Sequence, residues 1–286
     1  MPFTEIISTR DLAKHLDEPN WLVFDSRFDL IDEEIGREDY QEAHIPGALY
    51  VHLEHDLSAA RHPGKTGRHP LPSVEEFSRR LSAWGVDSSV QAVVYDDRGG
   101  MVAARLWWML RWLGHDNVAV LEGGWQRWQE ENRPDDSYIP TPRPRQFVAN
   151  PRGEWVVRAE EIVARLADNT LTLLDARSAD RYRGENETLD PVAGHIPGAI
   201  NAPFTRNLDS DGSFHSRENL RQYYETLVGH VPAKEVIVYC GSGVSAAHDA
   251  LAMAYAGIGD VRLYVDSWSH WITDSRHPVV TGERAR

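Results

Sequence analysis

Two hydrophobic patterns alternate along the chain. Short apolar runs read as buried strands: Trp21-Leu22-Val23-Phe24-Asp25, Gln91-Ala92-Val93-Val94-Tyr95, Val118 to Leu121, Leu171-Thr172-Leu173-Leu174-Asp175 and Glu235-Val236-Ile237-Val238-Tyr239. Segments with helical spacing lie between them. Ser8 to Leu16 predicts a short helix capped by Ser8 or Thr9. Ser73-Val74-Glu75-Glu76 forms a capping box, and Val74, Phe77, Leu81 and Trp84 follow on one helical face. Val102 to Leu113, Ser216 to Val228 and Ala246 to Ala256 predict further helices. Ser26 to Ala43 reads as a polar loop, and residues 54 to 72, poor in apolar residues, as a long one. Alternating strands and helices predict an α/β fold, a mainly parallel sheet flanked by helices on both faces.

The whole order occurs twice. His44-Ile45-Pro46-Gly47-Ala48 returns word for word as His195-Ile196-Pro197-Gly198-Ala199. The strand ending in Asp25 returns ending in Asp175, and Trp125 and Trp128 return as Trp268 and Trp271. Copies of roughly 140 residues exclude a solenoid, whose repeats are far shorter. They predict two tandem domains, residues 1–133 and 152–286. The join, residues 134–151, carries Pro134, Pro140, Pro142, Pro144 and Pro151 and predicts an extended, stiff linker.

Charge and composition narrow the function. A net charge of −14 argues against nucleic acid as a partner, and an anionic substrate would need a local basic pocket. No run of about 18 apolar residues predicts a membrane span. Met1-Pro2-Phe3-Thr4-Glu5 lacks the basic and apolar regions of a signal peptide. The single cysteine excludes an intramolecular disulfide and points to the cytoplasm. Thirteen scattered histidines with one cysteine predict no metal site, and no Gly-rich phosphate motif implies a nucleotide, so no cofactor is expected.

That cysteine is the candidate nucleophile. Cys240 stands between a strand and a helix, in Tyr239-Cys240-Gly241-Ser242-Gly243-Val244-Ser245. Such a loop turns backbone N–H groups inward, and the helix dipole adds its positive end, which favours a thiolate. A lone cysteine in an arbitrary chain is more often inert and buried, but the Gly-rich loop argues for chemistry. In the first copy the position is Asp96, which is no soft nucleophile, so that copy is expected to be catalytically silent and to wall the active site of the second.

The duplicated HIPGA, the strand ends Asp25-Ser26-Arg27 and Asp175-Ala176-Arg177, and the CGSGVSA loop together resemble the two-domain rhodanese-type sulfurtransferases. The resemblance covers nearly the whole chain. It implies two tandem rhodanese-like domains and a Cys240 persulfide that passes sulfur from a small anionic donor to an acceptor. The acceptor would be cyanide, a small thiol or a thioredoxin-like protein. Gly241 and Ser242, where thiosulfate enzymes carry basic residues, resemble the mercaptopyruvate type and favour 3-mercaptopyruvate over thiosulfate. The resemblance also implies donor contacts from Arg181, Gly241, Gly243, Val244 and Ser245, with Phe28 and Met101 lining the pocket. The second arginine usual before the HIPG turn is absent between Glu185 and Gly194, and Arg183 is its candidate substitute. A serine–histidine–acid relay would comprise Ser242, His69 and Glu54.

Simpler readings stand beside several of these. Arg181 and Arg183 alternatively form a solvated surface pair, and His69 alternatively sits exposed in a polar loop. Asp25, Asp175, Arg27 and Arg177 read as structural ion pairs, and His44 and His195 as structural because both copies have them. Trp107, Trp108, Trp112, Trp125 and Trp128 read as packing. A cysteine phosphatase would need an arginine six residues after the cysteine, where Ala246 stands. A persulfide carrier serving a protein acceptor remains the non-enzymatic rival.

Overall fold

The computed structural model describes residues 2–167 and 170–283. The chain divides into two compact units. The first comprises residues 1–59, 72–152 and 210–214, the second residues 60–71, 153–209 and 215–286.

In the first unit the elements run β1 (Ile6–Ile7), α1 (Thr9–Leu12), β2 (Trp21–Asp25), α2 (Ile35–Glu42), β3 (Leu49–Tyr50), α3 (Val74–Ala83), β4 (Gln91–Tyr95), α4 (Ala103–Trp112), β5 (Val118–Leu121) and α5 (Gly124–Glu130). The second runs β6 (Val156–Val157), α6 (Ala159–Ala167), β7 (Thr172–Asp175), α7 (Ala179–Arg183), β8 (Ile200–Asn201), α8 (Arg217–Val228), β9 (Val236–Tyr239), α9 (Ser245–Tyr255), β10 (Arg262–Tyr264) and α10 (Ser267–Trp271). Each unit has a five-stranded sheet, ordered β1-β5-β4-β2-β3 and β6-β10-β9-β7-β8, and every pairing is parallel. The central strands β4 and β9 are buried along their whole length, as parallel strands between two helical layers must be. Their C-terminal ends deliver Asp96 and Cys240.

Local signals act as the sequence implies. Ser73 caps α3 through Glu76 N–H, and Glu76 reaches back to Ser73 N–H. Ser8 caps α1, which stops at Leu12, a turn short of the expected Leu16. The segment expected to be all loop, Ser26 to Ala43, contains α2. Only Gly36 and Tyr40 of that helix are buried, so its sequence lacks a wide apolar stripe. What fixes it is tertiary: a Cβ on Gly36 would stand 2.0 Å from the Arg27 carbonyl oxygen, so only glycine permits the approach. Trp107, Trp108, Trp112, Trp125 and Trp128 are all buried, as packing residues should be.

Both units are pinned by the same polar lattice. Arg27 Nε and Nη2 bond Asp25, and Nη2 also donates to Ala43 O; Arg177 does the same to Asp175 and Gly194 O. Each guanidinium lies 4.7 Å from a tryptophan ring, Trp125 or Trp268. Burial opposes the charge on Arg177, but Asp175 outweighs it and the pKa rises. Tyr40 and Tyr182 donate to the alanine carbonyls that end the HIPGA turns, Ala48 and Ala199. His44 and His195 stack on those tyrosines and bond their backbone oxygens through Nδ1. These groups hold each turn against its sheet, the structural task expected of them.

No helix among the described residues is long and apolar enough to cross a membrane. Contrary to the scatter of histidines along the sequence, Glu34, His52 and His55 gather ligand atoms within 4.8 Å. The His52 ring is already engaged by the backbone at both nitrogens, by Glu54 and His55 N–H at Nδ1 and Glu33 O at Nε2. It also stacks on His55 at 4.3 Å, and burial lowers its pKa. The cluster therefore reads as loop packing in the first unit.

Candidate active site

Cys240 is buried at the end of β9. Gly243 N–H reaches its Sγ at 3.1 Å, and the φ of Gly243, +79°, is one that only glycine adopts without strain. The loop is fixed at both ends. Trp268 N–H donates to Cys240 O at 3.0 Å and Ser269 N–H to Gly241 O at 2.9 Å. Cys240 N–H donates to Ser267 Oγ at 3.1 Å, and that hydroxyl donates to Tyr264 O. Ser267 takes a left-handed φ of +56° to do this. Its counterpart before Trp125 is Gly124, at +55°. The second copy thus tolerates strain at a serine, and the serine oxygen ties β10 to the cysteine.

Ser242 and His69 meet within the second unit. Ser242 Oγ lies 2.7 Å from His69 Nδ1, and both residues are buried, so His69 is not the exposed loop histidine of the simpler reading. Residues 60–71, which carry His69, cluster with that unit despite lying in the first copy of the sequence. Arg68 N–H donates to Ser269 Oγ, and a Cβ on Gly67 would stand 2.5 Å from Asp266 O, so the segment packs tightly on the start of α10.

Arg181 reaches the loop from α7. A Cβ on Gly241 would lie 3.5 Å from one of its guanidinium nitrogens, and 2.6 Å from a guanidinium nitrogen of Arg68. Two buried carboxylates hold these cations. Glu187 accepts from Arg181 Nε at 3.0 Å and Nη2 at 2.9 Å, and from the backbone of Leu189 and Asp190. Asp190 bridges Arg68 and Arg181. Arg183 turns instead to Glu185, 2.7 Å away at the surface, beside Tyr182, Ile200 and Asn201. Glu54, Phe28 and Met101 belong to the first unit: Phe28 is buried edge-on against His52, and Glu54 N–H donates to the same ring.

The first copy makes an instructive contrast. Asp96 fills its own loop, accepting from Arg98, Gly100, Val102 and Ala103 N–H at 2.7–2.9 Å. A fixed carboxylate thus takes the backbone donors of that loop. Burial pushes the Asp96 pKa up against the pull of those four donors. The matching tyrosines also align Asp39 with Arg181, so a cation of one copy is an acid in the other.

The chain matches the rhodanese-like domain model twice, over residues 8–131 and 158–274. The chain belongs to the rhodanese family. A probable 3-mercaptopyruvate sulfurtransferase of Pseudomonas aeruginosa is 46% identical over 284 residues, 99% of this chain and 100% of the relative. A thiosulfate sulfurtransferase of Rattus norvegicus is 32% identical over 278 residues, covering 94% and 92%. The structure of 3-mercaptopyruvate sulfurtransferase from Leishmania major superposes with a TM-score of 0.85 at 30% identity, over 96% of this chain and 76% of that one. As a rhodanese-family enzyme, the chain is a sulfurtransferase with two rhodanese-fold domains.

Four residues of this site carry no motif that would single them out in the sequence: Arg68, Glu187, Asp190 and Ser267. Arg68 adjoins His69, which does stand out. The segment from Glu185 to Gly194 is where a second cation is expected, whereas its contribution is two carboxylates. Ser267 carries no pattern at all, because its role depends on a backbone angle.

Proposed function

We propose that Cys240 carries sulfur as a persulfide, that 3-mercaptopyruvate is the preferred donor, and that the first unit is catalytically silent. The Cys240 thiolate attacks the donor sulfur. The donor C–S bond breaks with its electrons on carbon, leaving the enolate of pyruvate. The proton of the donor thiol passes to that carbon, and Cys240 retains the sulfur as a persulfide anion. An acceptor thiolate or cyanide then attacks the outer sulfur and regenerates Cys240. Splitting the transfer in two predicts ping-pong kinetics.

The buried Ser242–His69 pair supports the donor assignment most directly. A proton path beside the sulfur serves a leaving group that must be protonated, as the enolate must and sulfite need not. The uncharged side chains of Gly241 and Ser242 offer a dianion little. Arg181 suits the donor carboxylate, since its planar fork binds two oxygens. Support for a silent first unit comes from Asp96 and from a cavity of about 390 Å³ beside it, where Asp39, Glu42 and Asp97 face a single arginine, Arg27. A lone cysteine used as a nucleophile suits a reducing compartment, and we place the enzyme in the cytoplasm. Small thiols or a thioredoxin-like protein are the proposed acceptors.

The test is parallel kinetics with both donors and mass spectrometry of the loaded enzyme. We expect one added sulfur atom on the Cys240 peptide and none after Cys240→Ser. We also expect kcat/KM to favour 3-mercaptopyruvate by about tenfold, roughly 1.4 kcal/mol in transition-state binding. Equal or better turnover of thiosulfate would overturn the donor assignment.

A further inference from the structure

The second arginine of the donor site is missing from the segment before the HIPGA turn, yet a second guanidinium stands over the loop. Arg68 reaches Gly241 from a segment distant in sequence and comes closer to it than Arg181 does. Asp190 bridges the two, one oxygen to Arg68 and the other to Arg181 at 3.3 Å. That is the contact a donor carboxylate would make. Exposure separates the signs: the Arg68 and Arg181 side chains are 15% and 18% exposed, Glu187 and Asp190 only 2% and 3%. An anion arriving from solvent therefore meets guanidinium first. A cavity of about 330 Å³ opens beside Arg68, lined also by Arg61, Thr66, Asp190 and Ser269.

We propose that Arg68 is the second donor-binding cation of this enzyme, paired with Arg181, and that Asp190 tunes donor affinity by competing for the same two guanidinium groups. With Arg177, which reaches Glu187 at 3.5 Å and carries its own partner Asp175, three arginines and three carboxylates leave the cluster without formal net charge. It therefore holds a monoanionic 2-oxo acid by directed hydrogen bonds and gains little from the second charge of a dianion. A protein of net charge −14 concentrates its affinity for the donor at this point. The proposal rests on the donor reading above, but binding of the unreactive product, pyruvate, tests it without turnover.

The experiment measures pyruvate affinity by calorimetry and steady-state kinetics with 3-mercaptopyruvate, for wild type, Arg68→Ala, Arg68→Lys and Asp190→Asn. We expect Arg68→Ala to weaken pyruvate and raise KM by about tenfold, the scale of one charge-assisted contact, with kcat changed less than about threefold. Arg68→Lys restores part of the affinity, because a point charge replaces the fork. Asp190→Asn tightens pyruvate about threefold or more, since one competitor is neutralised. Pyruvate affinity within twofold of wild type in folded Arg68→Ala overturns the proposal. Should that variant not fold, unchanged or weaker binding by Asp190→Asn overturns it instead. Loss of wild-type turnover with 3-mercaptopyruvate alongside intact, Arg68-dependent pyruvate binding would sink the donor reading and leave the arginine pair standing.

Discussion

Replacing Ser242 by alanine isolates the proton path from sulfur capture. The Ser242 hydroxyl sits 2.7 Å from His69 Nδ1, and both residues are buried. If the pair delivers a proton to the departing enolate carbon, its loss removes a general acid worth about 10²–10⁴ in rate. At 1.36 kcal/mol per decade that is roughly 3–5 kcal/mol of transition-state stabilisation. Losing the hydroxyl also leaves His69 short of a partner, a stability cost of about 1–3 kcal/mol that falls on every substrate alike. The ratio between donors cancels this shared part. Pyruvate release is read from 3-mercaptopyruvate, sulfite release from thiosulfate, each as single-turnover loading of Cys240. The variant should lose at least about 30-fold more with 3-mercaptopyruvate than with thiosulfate. His69→Ala should behave alike, and the double variant should be little worse than either, because the two act as one unit. Equal losses with both donors would make Ser242 a loop scaffold and refute the relay.

Further tests address the supporting structure. Ser267→Gly relieves the strained φ but removes the acceptor of Cys240 N–H; sulfur loading should slow about fivefold, roughly one hydrogen bond, while the melting temperature holds. Loading at the wild-type rate would deny Ser267 a positioning role. Asp96→Asn places an amide donor against two of four backbone N–H groups and should destabilise the first unit by about 2–4 kcal/mol in urea unfolding; a change under about 0.5 kcal/mol would contradict the picture. Asp249 is buried in α9, with Asn207 Nδ2 on one oxygen at 2.8 Å, and burial raises its pKa well above 3.8. Its contribution is complete below the unfolded pKa and is lost as pH rises towards the folded one. Asp249→Asn should therefore gain on wild type as pH rises above about 4, seen as slower hydrogen exchange across α9, and a difference that stays constant with pH would refute the linkage.

The architecture was legible because it rests on periodicity and repetition. Unbroken apolar runs gave the central strands, Ser73 and Glu76 the start of α3, and two copies of HIPGA the duplicated fold. Helix α2 was not legible, since its burial is confined to Gly36 and Tyr40. Cys240 stands out from its strand–loop–helix junction alone, whereas Ser242, His69 and Arg181 are named only through the resemblance of their motifs to the rhodanese-type sulfurtransferases. Arg68 could not be named, since its approach to Gly241 requires residues 60–71 to fold with the second unit. A polypeptide of residues 152–286 alone therefore lacks both His69 and Arg68, and its inactivity would say nothing about the first unit as a whole.

Duplication also separates what the fold needs from what the reaction needs. The carboxylate–guanidinium–tryptophan stack, the tyrosine on the turn and the histidine on the tyrosine recur in both units with nearly the same distances. If the first unit is silent, its retention of them means that sulfur transfer is not their reason. Three differences between the units fall at matching positions around this lattice and its loop. Asp96 stands where the other unit has Cys240, Asp39 where it has Arg181, and Gly124 where it has a strained Ser267. Each change points the same way. The acid that satisfies its own loop becomes a thiol. The acid at the pocket edge becomes a cation, and a relaxed turn becomes one that offers an acceptor to the cysteine N–H. On the proposed mechanism, the second unit puts a transferable sulfur where the first has a fixed carboxyl group held by four backbone N–H groups, and adds a cation for the donor that brings it.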